Sequence, residues 1–176
     1  MLTRNLRVVR FLATSITIAY AASAGVALAE RIEDRGTKIN KNDKVEVMLD
    51  DKATGRMAFF LAYHAITKAK GGGGGLFDGM TNKGQGTCVL TQGRGPCSGF
   101  ESSEKDGDIF RFEWSGQCYT LTGPEGKPIA YCAGGSYAVP GSGTGRFAGI
   151  SGGGSWWAHE RPDGDLEVEW AYVWEK

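Results

Sequence analysis

Apolar and polar positions alternate with a period of two along much of the chain after residue 86. The alternating runs are short, and turn sequences rich in glycine, proline or aspartate separate them, such as Asp106-Gly107 and RPDGD over 161–165. Regular spacing of about 8–12 residues between such turns is typical of all-β sandwiches and barrels. The pattern therefore predicts an all-β fold of about eight strands. A closed antiparallel up-and-down barrel is favoured, because closure removes exposed sheet edges.

Aromatic residues share single strand faces in two of these runs. In DIFRFEW, residues 108–114, one face carries Phe110, Phe112 and Trp114, and the other carries Ile109, Arg111 and Glu113. In LEVEWAYVW, residues 166–174, one face carries Leu166, Val168, Trp170, Tyr172 and Trp174. Such faces form a packed core, the lining of a pocket for a flat or apolar ligand, or a subunit interface. The sequence leaves these three open.

The pattern over residues 30–86 is less regular. Residues 30–44 are polar with little periodicity and predict a flexible amino-terminal tail, so the barrel domain is expected over 45–176. Residues 56–70 fit either a helix or a strand buried on both faces, and we favour the strand because the downstream pattern is β. The glycine run over 71–75 predicts a flexible loop.

The first 29 residues have the order of a secretory signal peptide. Three arginines precede an apolar, alanine-rich stretch that ends in Ala27-Leu28-Ala29. This order predicts cleavage after Ala29 and a secreted or periplasmic protein, with an uncleaved membrane anchor as the alternative. After cleavage, no stable membrane insertion is expected.

Removal of the three arginines leaves 17 basic and 20 acidic residues, a net charge of 17 − 20 = −3. A mildly acidic protein is a poor match for nucleic acids or anionic membrane surfaces. We therefore expect no nucleic-acid partner.

The four cysteines are Cys88, Cys97, Cys118 and Cys132. In an exported protein, an even number of cysteines indicates disulfides, and four cysteines allow three pairings. Local spacing favours Cys88–Cys97 and Cys118–Cys132, each across a hairpin. A metal site is the weaker alternative, since the sequence has no C-x-x-C and only two histidines, His64 and His159. No metal or cofactor is expected.

The segment GTGRFAGISGGGSWW, residues 143–157, contains a G-x-S-x-G match at 149–153. A nucleophile elbow needs a helix after the serine, and Gly154-Ser155-Trp156-Trp157 does not start one. No βαβ unit or phosphate-loop motif surrounds the glycines. The segment therefore predicts a sharp bend between strands, with Phe147 and Ile150 anchoring it in the core.

The part GTGRFAGISG, residues 143–152, resembles a hairpin motif of the allene oxide cyclase-like and dirigent-like proteins. The resemblance implies an eight-stranded barrel, often oligomeric, with an apolar cavity that binds small hydrophobic or phenolic molecules. In some members of that superfamily, the cavity guides a cyclisation or coupling. No catalytic motif of the plant enzymes is matched around any acidic residue of this sequence.

We expect first a binding module that holds a small hydrophobic or aromatic ligand. The ligand-binding candidates are Phe110, Phe112, Trp114, Tyr131, Trp170, Tyr172 and Trp174. A cofactor-free isomerase or cyclase is the second hypothesis, with Glu113 as the candidate acid or base if it lies inside the barrel. The third is a structural or interaction protein that self-associates through an aromatic face, so a homo-oligomer is possible.

Overall fold

The structure is a computed structural model that describes residues 29–70, 75–123 and 126–176. Residues 1–28 of the predicted signal peptide and residues 71–74 of the glycine run lie outside the described residues. The strands are β1 Arg31–Asp51, β2 Arg56–Ile66, β3 Lys68–Ala69, β4 Thr81–Thr91, β5 Arg94–Lys105, β6 Asp108–Thr122, β7 Pro128–Ala138, β8 Ser151–Glu160 and β9 Leu166–Glu175.

These strands form one nine-stranded antiparallel sheet that closes in a ring. The long strands follow one another in chain order around the sheet, with only the two-residue β3 outside this sequence. The last long strand, β9, pairs with β1 from Arg31↔Glu175 to Asn40↔Leu166, and this pairing completes the ring. The all-β prediction is confirmed, and no α-helix occurs in the described part of the chain.

The prediction of a flexible tail over 30–44 is wrong, because these residues make up much of β1. Over residues 31–40, more buried and more exposed side chains alternate, and the inward positions include Asp34, Lys38 and Asn40. A search for apolar alternation misses a strand whose buried positions are polar. The sheet therefore starts at Arg31 rather than at residue 45.

The strand favoured over 56–70 is confirmed by β2 and β3. Residues Leu61, Tyr63 and Ala65 of β2 are buried inside the ring. The intervening residues face outward, and Ile66 is 63% exposed. The segment is therefore buried on one face only.

The glycine-rich bend is also confirmed. Residues Gly145–Phe147 form a single 3₁₀ turn, and β8 begins at Ser151 with no helix after it. Phe147 is fully buried and Ile150 is nearly so. The left-handed φ of +78° at Gly149 explains why glycine is needed there.

One end of the ring is closed by an apolar cluster. Its members are Ile32, Phe77, Met80, Phe110, Phe112, Phe147, Ile150 and Trp174. The loop before β4 supplies Phe77, whose ring centroid lies 6.0 Å from that of Phe147 and 5.8 Å from that of Trp174. These side chains form the closed end.

Inside the ring of strands, several large aromatic side chains lie over glycines of neighbouring strands. A Cβ atom added at Gly99 would lie 2.6 Å from Cζ2 of Trp114, and one at Gly116 would lie 2.8 Å from Cζ2 of Trp156. Glycine therefore provides the room that each indole occupies. The strand interior alternates large and absent side chains, which leaves space for a cavity nearer the other end.

Candidate functional site

A cavity of about 260 Å³ occupies the ring between the closed end and the opposite set of hairpin turns. Exposed residues line its outer part, including Asn42, Val45, Thr120 and Gly164. The cavity therefore opens to solvent at this end, the mouth. Its volume lies near the lower limit for small-molecule sites, which are typically about 300–1,000 Å³.

The cavity walls are largely apolar. Phe59 and Leu61 come from β2, Leu90 comes from β4, and Trp114 and Trp156 come from β6 and β8. The two indoles meet edge to face with ring centroids 6.0 Å apart. This wall suits an apolar or aromatic molecule.

Three polar side chains, Lys38, Tyr63 and Glu101, meet deeper in the cavity and form the polar cluster. The Lys38 ammonium and the Glu101 carboxylate form a salt bridge, with side chains 8% and 2% exposed. The Tyr63 hydroxyl donates a hydrogen bond to Oε2 of Glu101 at 2.8 Å. Burial, followed by the nearby Glu101 charge, raises the pKa of Tyr63 well above its usual value. The phenol therefore remains a proton donor over the ordinary pH range.

The Lys38 ammonium also lies over two aromatic rings. Its Nζ is 5.9 Å from the ring centroid of Tyr63 and 5.6 Å from that of Phe112. Contacts of this kind stabilise a desolvated cation. They hold the ammonium at the inner surface of the cavity together with Glu101.

A second buried carboxylate, Asp34, lies further towards the closed end. The Trp170 indole donates to Oδ2 of Asp34 at 2.9 Å. Burial raises the pKa of Asp34 from 3.8 to about 6, although the indole hydrogen bond opposes part of this rise. Asp34, Lys38 and Glu101 border a small void of about 30 Å³, which is enough for a water molecule.

The cavity wall also carries two buried polar atoms without a hydrogen-bond partner among the described residues, Oδ1 of Asn40 and Nε1 of Trp114. Buried polar atoms are normally paired in native proteins, and an unpaired one is costly. A ligand that carries a polar group can satisfy an atom of this kind.

The predicted disulfide pairing is confirmed. Cys88–Cys97 links β4 to β5, and Cys118–Cys132 links β6 to β7. All four residues are buried and line the cavity. In the described part of the chain, the one group of potential metal ligands consists of Cys88, Cys97 and Cys118, with sulfurs within 4.8 Å of one another. Both bonds engage these sulfurs, so they do not offer thiolates to a metal.

Six of the seven predicted ligand-binding residues point into the ring. Phe112, Trp114 and Tyr172 line the cavity, whereas Phe110 and Trp174 pack in the closed end. Trp170 lies between these two regions and donates a hydrogen bond to Asp34. Since both aromatic strand faces turn inward, they form core and cavity rather than an outer interface.

Tyr131 is placed elsewhere, and the prediction that it binds ligand is wrong for this cavity. Cys132 faces inward, so its neighbour Tyr131 lies on the outer surface. There it stacks between Tyr119 and His159, with ring centroids 6.3 and 6.4 Å away.

Glu113 is exposed on the outer face of β6, opposite Tyr137 in the sheet. It is therefore wrongly placed for acid–base chemistry in the cavity. Glu101 is the carboxylate that lies there. The disulfide could have indicated it, because Cys97 faces inward and a period of two puts Gly99 and Glu101 on the same side.

Comparison with protein-family models and with curated proteins finds no match for the chain. The resemblance of residues 143–152 to the allene oxide cyclase-like and dirigent-like proteins therefore stays a prediction. None of the described residues forms a helix that is long and apolar enough to cross a membrane.

Proposed function

We propose that the protein is an exported β-barrel that binds one small hydrophobic or aromatic molecule in its cavity, without a cofactor. The observation that carries this proposal is a cavity with apolar walls that opens to solvent and ends on a buried polar cluster. Sites of this composition bind ligands by burying an apolar body and orienting it with a few polar groups. The two disulfides are compatible with a secreted or periplasmic location.

The polar groups narrow the class of ligand. Lys38 and Glu101 neutralise each other, so the inner end of the cavity does not demand a charged ligand. Asn40 and Trp114 provide an unpaired acceptor and an unpaired donor on the wall. A compact ring compound or short chain with one neutral hydroxyl or carbonyl group fits this arrangement best.

A ligand screen with a cavity-filling variant tests the proposal. Native mass spectrometry and tryptophan fluorescence would follow binding of small phenols, aromatic ketones and short-chain lipids. Ala158 is buried and lines the cavity, so Ala158→Phe should weaken binding at least tenfold by filling it. Ala133 is exposed on the outer face, and Ala133→Phe is the matched control. Failure of every compound to bind the natural protein would reject the proposal.

A cofactor-free isomerase or cyclase is the second candidate, and Glu101 favours it. A buried carboxylate beside a cation and a phenol can move a proton within a dry cavity. The candidate residue is now Glu101 instead of Glu113. If bound compounds are turned over, Glu101→Gln should reduce kcat at least a hundredfold, whereas Glu113→Gln on the outer face should leave it unchanged. Equal activity of all three proteins would exclude this function for Glu101.

A further inference from the structure

The two disulfides contact each other inside the cavity wall. Sγ of Cys97 lies 3.2 Å from Sγ of Cys118, although these residues belong to different bonds. Together, the four cysteines form a sulfur band across β4, β5, β6 and β7, in the order Cys88, Cys97, Cys118, Cys132.

The register of the sheet explains this contact. On β5 and β6, Cys97 pairs with Gly116 and Cys118 pairs with Gly95. The two cysteines are therefore diagonal neighbours on the inner face, and the residue opposite each one has no side chain. Nothing from these two strands separates the two bonds.

We propose that the sulfur band is a thiol–disulfide exchange site, in which reduction of one bond frees an inner thiolate that opens the other bond and forms a Cys97–Cys118 bond. A thiolate attacks a neighbouring disulfide sulfur through a direct sulfur–sulfur contact, and this pair of inner sulfurs supplies that contact. The cavity mouth gives a small dithiol a route to the band, because all four cysteines line the cavity.

The exchange proceeds in two steps. First, the dithiol reduces Cys88–Cys97 and becomes a cyclic disulfide. Of its two protons, one is taken up by Cys88 as a thiol and the other is released to water, so Cys97 is left as a thiolate. The Cys97 thiolate then attacks Sγ of Cys118. A Cys97–Cys118 bond forms, the Cys118–Cys132 bond breaks, and Cys132 leaves as a thiolate that takes up a proton. The second step consumes no oxidant or reductant.

Removal of an outer cysteine isolates the second step and needs no ligand. In Cys88→Ser, the free Cys97 faces an intact Cys118–Cys132 bond. In Cys132→Ser, the free Cys118 faces an intact Cys88–Cys97 bond. After incubation at pH 8, acid quenching, alkylation and peptide mapping, on the order of half of each variant should carry a Cys97–Cys118 bond, because the exchanging bonds are chemically alike. At pH 5 the exchange should be about a thousandfold slower, because the thiolate fraction falls tenfold per pH unit.

Two controls make the result specific to the folded protein. Cys97→Ser and Cys118→Ser remove an inner cysteine, and each should keep its remaining native bond with the leftover thiol alkylated. In urea, Cys88→Ser should also form Cys97–Cys132, and this bond should be absent from the folded sample.

The natural protein provides a second measurement that does not depend on how the variants fold. With less than one equivalent of dithiothreitol at pH 8, molecules with a single remaining bond should include Cys97–Cys118, with Cys88 and Cys132 alkylated. If folded samples contain only Cys88–Cys97 and Cys118–Cys132 bonds, the proposal is wrong. Absence of ligand binding would leave this result unaffected, so failure of the exchange site and failure of the proposed function are distinguishable.

Discussion

Three charged side chains, Asp34, Lys38 and Glu101, lie inside the ring among aromatic residues. Burial of an unpaired charge is costly, so each needs a compensating partner. Lys38 and Glu101 compensate each other, and Tyr63 adds a hydrogen bond. The Asp34 carboxylate accepts a hydrogen bond from the neutral indole of Trp170, and its raised pKa reflects this weaker compensation.

Ionisation of Asp34 should lower the free energy of unfolding of the natural protein as the pH rises from about 4 to 6. Its folded pKa, about 6, exceeds the unfolded value of 3.8, so the folded state binds more protons in this window and loses stability as they leave. Asp34→Asn keeps an acceptor for Trp170 and removes the charge. We expect the variant to exceed the natural protein in free energy of unfolding by up to about 3 kcal/mol at pH 8, and by little at pH 4.

Urea unfolding of both proteins at pH 4, 6 and 8 measures this difference. Glu33→Gln, at an exposed position of the same strand, is the control and should change stability by less than about 0.5 kcal/mol at each pH. A difference for Asp34→Asn that is the same at pH 4 and pH 8 would contradict the expectation.

Substitutions of Lys38 and Glu101 should have strongly non-additive effects on the free energy of unfolding. Lys38→Met leaves a buried carboxylate without its cation and should cost about 3–5 kcal/mol in free energy of unfolding. The double variant Lys38→Met/Glu101→Gln removes both charges and should recover at least half of this loss. A double-mutant cycle by chemical denaturation measures the coupling, and additive effects would show that the pair does not act as a unit.

At the scale of the strands, glycine and aromatic residues form cross-strand pairs inside the ring. Gly99 lies opposite Trp114 in the β5–β6 register, and Gly134 lies opposite Trp156 in the β7–β8 register. A glycine in a strand normally weakens it, but an aromatic ring that covers the glycine restores the lost packing. These pairs explain how strands so rich in glycine remain continuous.

Gly99→Ala should therefore disturb both the fold and the cavity. The new Cβ would clash first with the backbone carbonyl oxygen of Gln85 in β4, and it would also lie 2.6 Å from Cζ2 of Trp114, too close for an unshifted indole. We expect a loss of about 1–3 kcal/mol in stability and a shift in tryptophan fluorescence. Gly135→Ala is the matched control, since its nearest heavy atom would lie at 3.3 Å. Equal stability of the two variants would show that both the backbone of β4 and the Trp114 indole can move aside without cost.

Strand alternation makes some elements predictable and hides others. The inward face of β9 is almost wholly apolar or aromatic, so a period of two identifies it. The inward positions of β1 include Asp34, Gly36, Lys38 and Asn40, and those of β4 include Asn82, Gly84 and Gly86. Their partners lie on distant strands, so only the folded ring shows that these polar and small residues are internal. Lys38 is hidden among the site residues for the same reason, whereas the spacing from Cys97 could have indicated Glu101.

At the scale of the whole molecule, β1 closes the ring by pairing with both β2 and β9. It contributes the only cation of the polar cluster, Lys38, and the buried carboxylate of Asp34. The segment that the sequence presents as a tail is therefore needed for both closure and the site.

A shortened chain tests this role. A chain that begins at Ala29 retains β1 and should unfold in one cooperative transition. A chain that begins at Val45 loses the whole pairing with β9, and we expect it to lack cooperative unfolding and to expose Trp170 and Trp174. Thermal denaturation followed by near-ultraviolet circular dichroism compares them, and equal transitions would mean that closure through β1 is dispensable.

The closed end has a consequence for any molecule that occupies the cavity. In the part of the chain that the structure describes, Phe77, Phe147 and Trp174 fill that end, so a molecule enters and leaves the cavity through the mouth. A guest longer than the cavity is wide cannot turn around once inside. The end of the ligand that enters first is the end that meets Lys38 and Glu101. The orientation of an asymmetric ligand is therefore selected at the mouth, before the ligand contacts the buried charges.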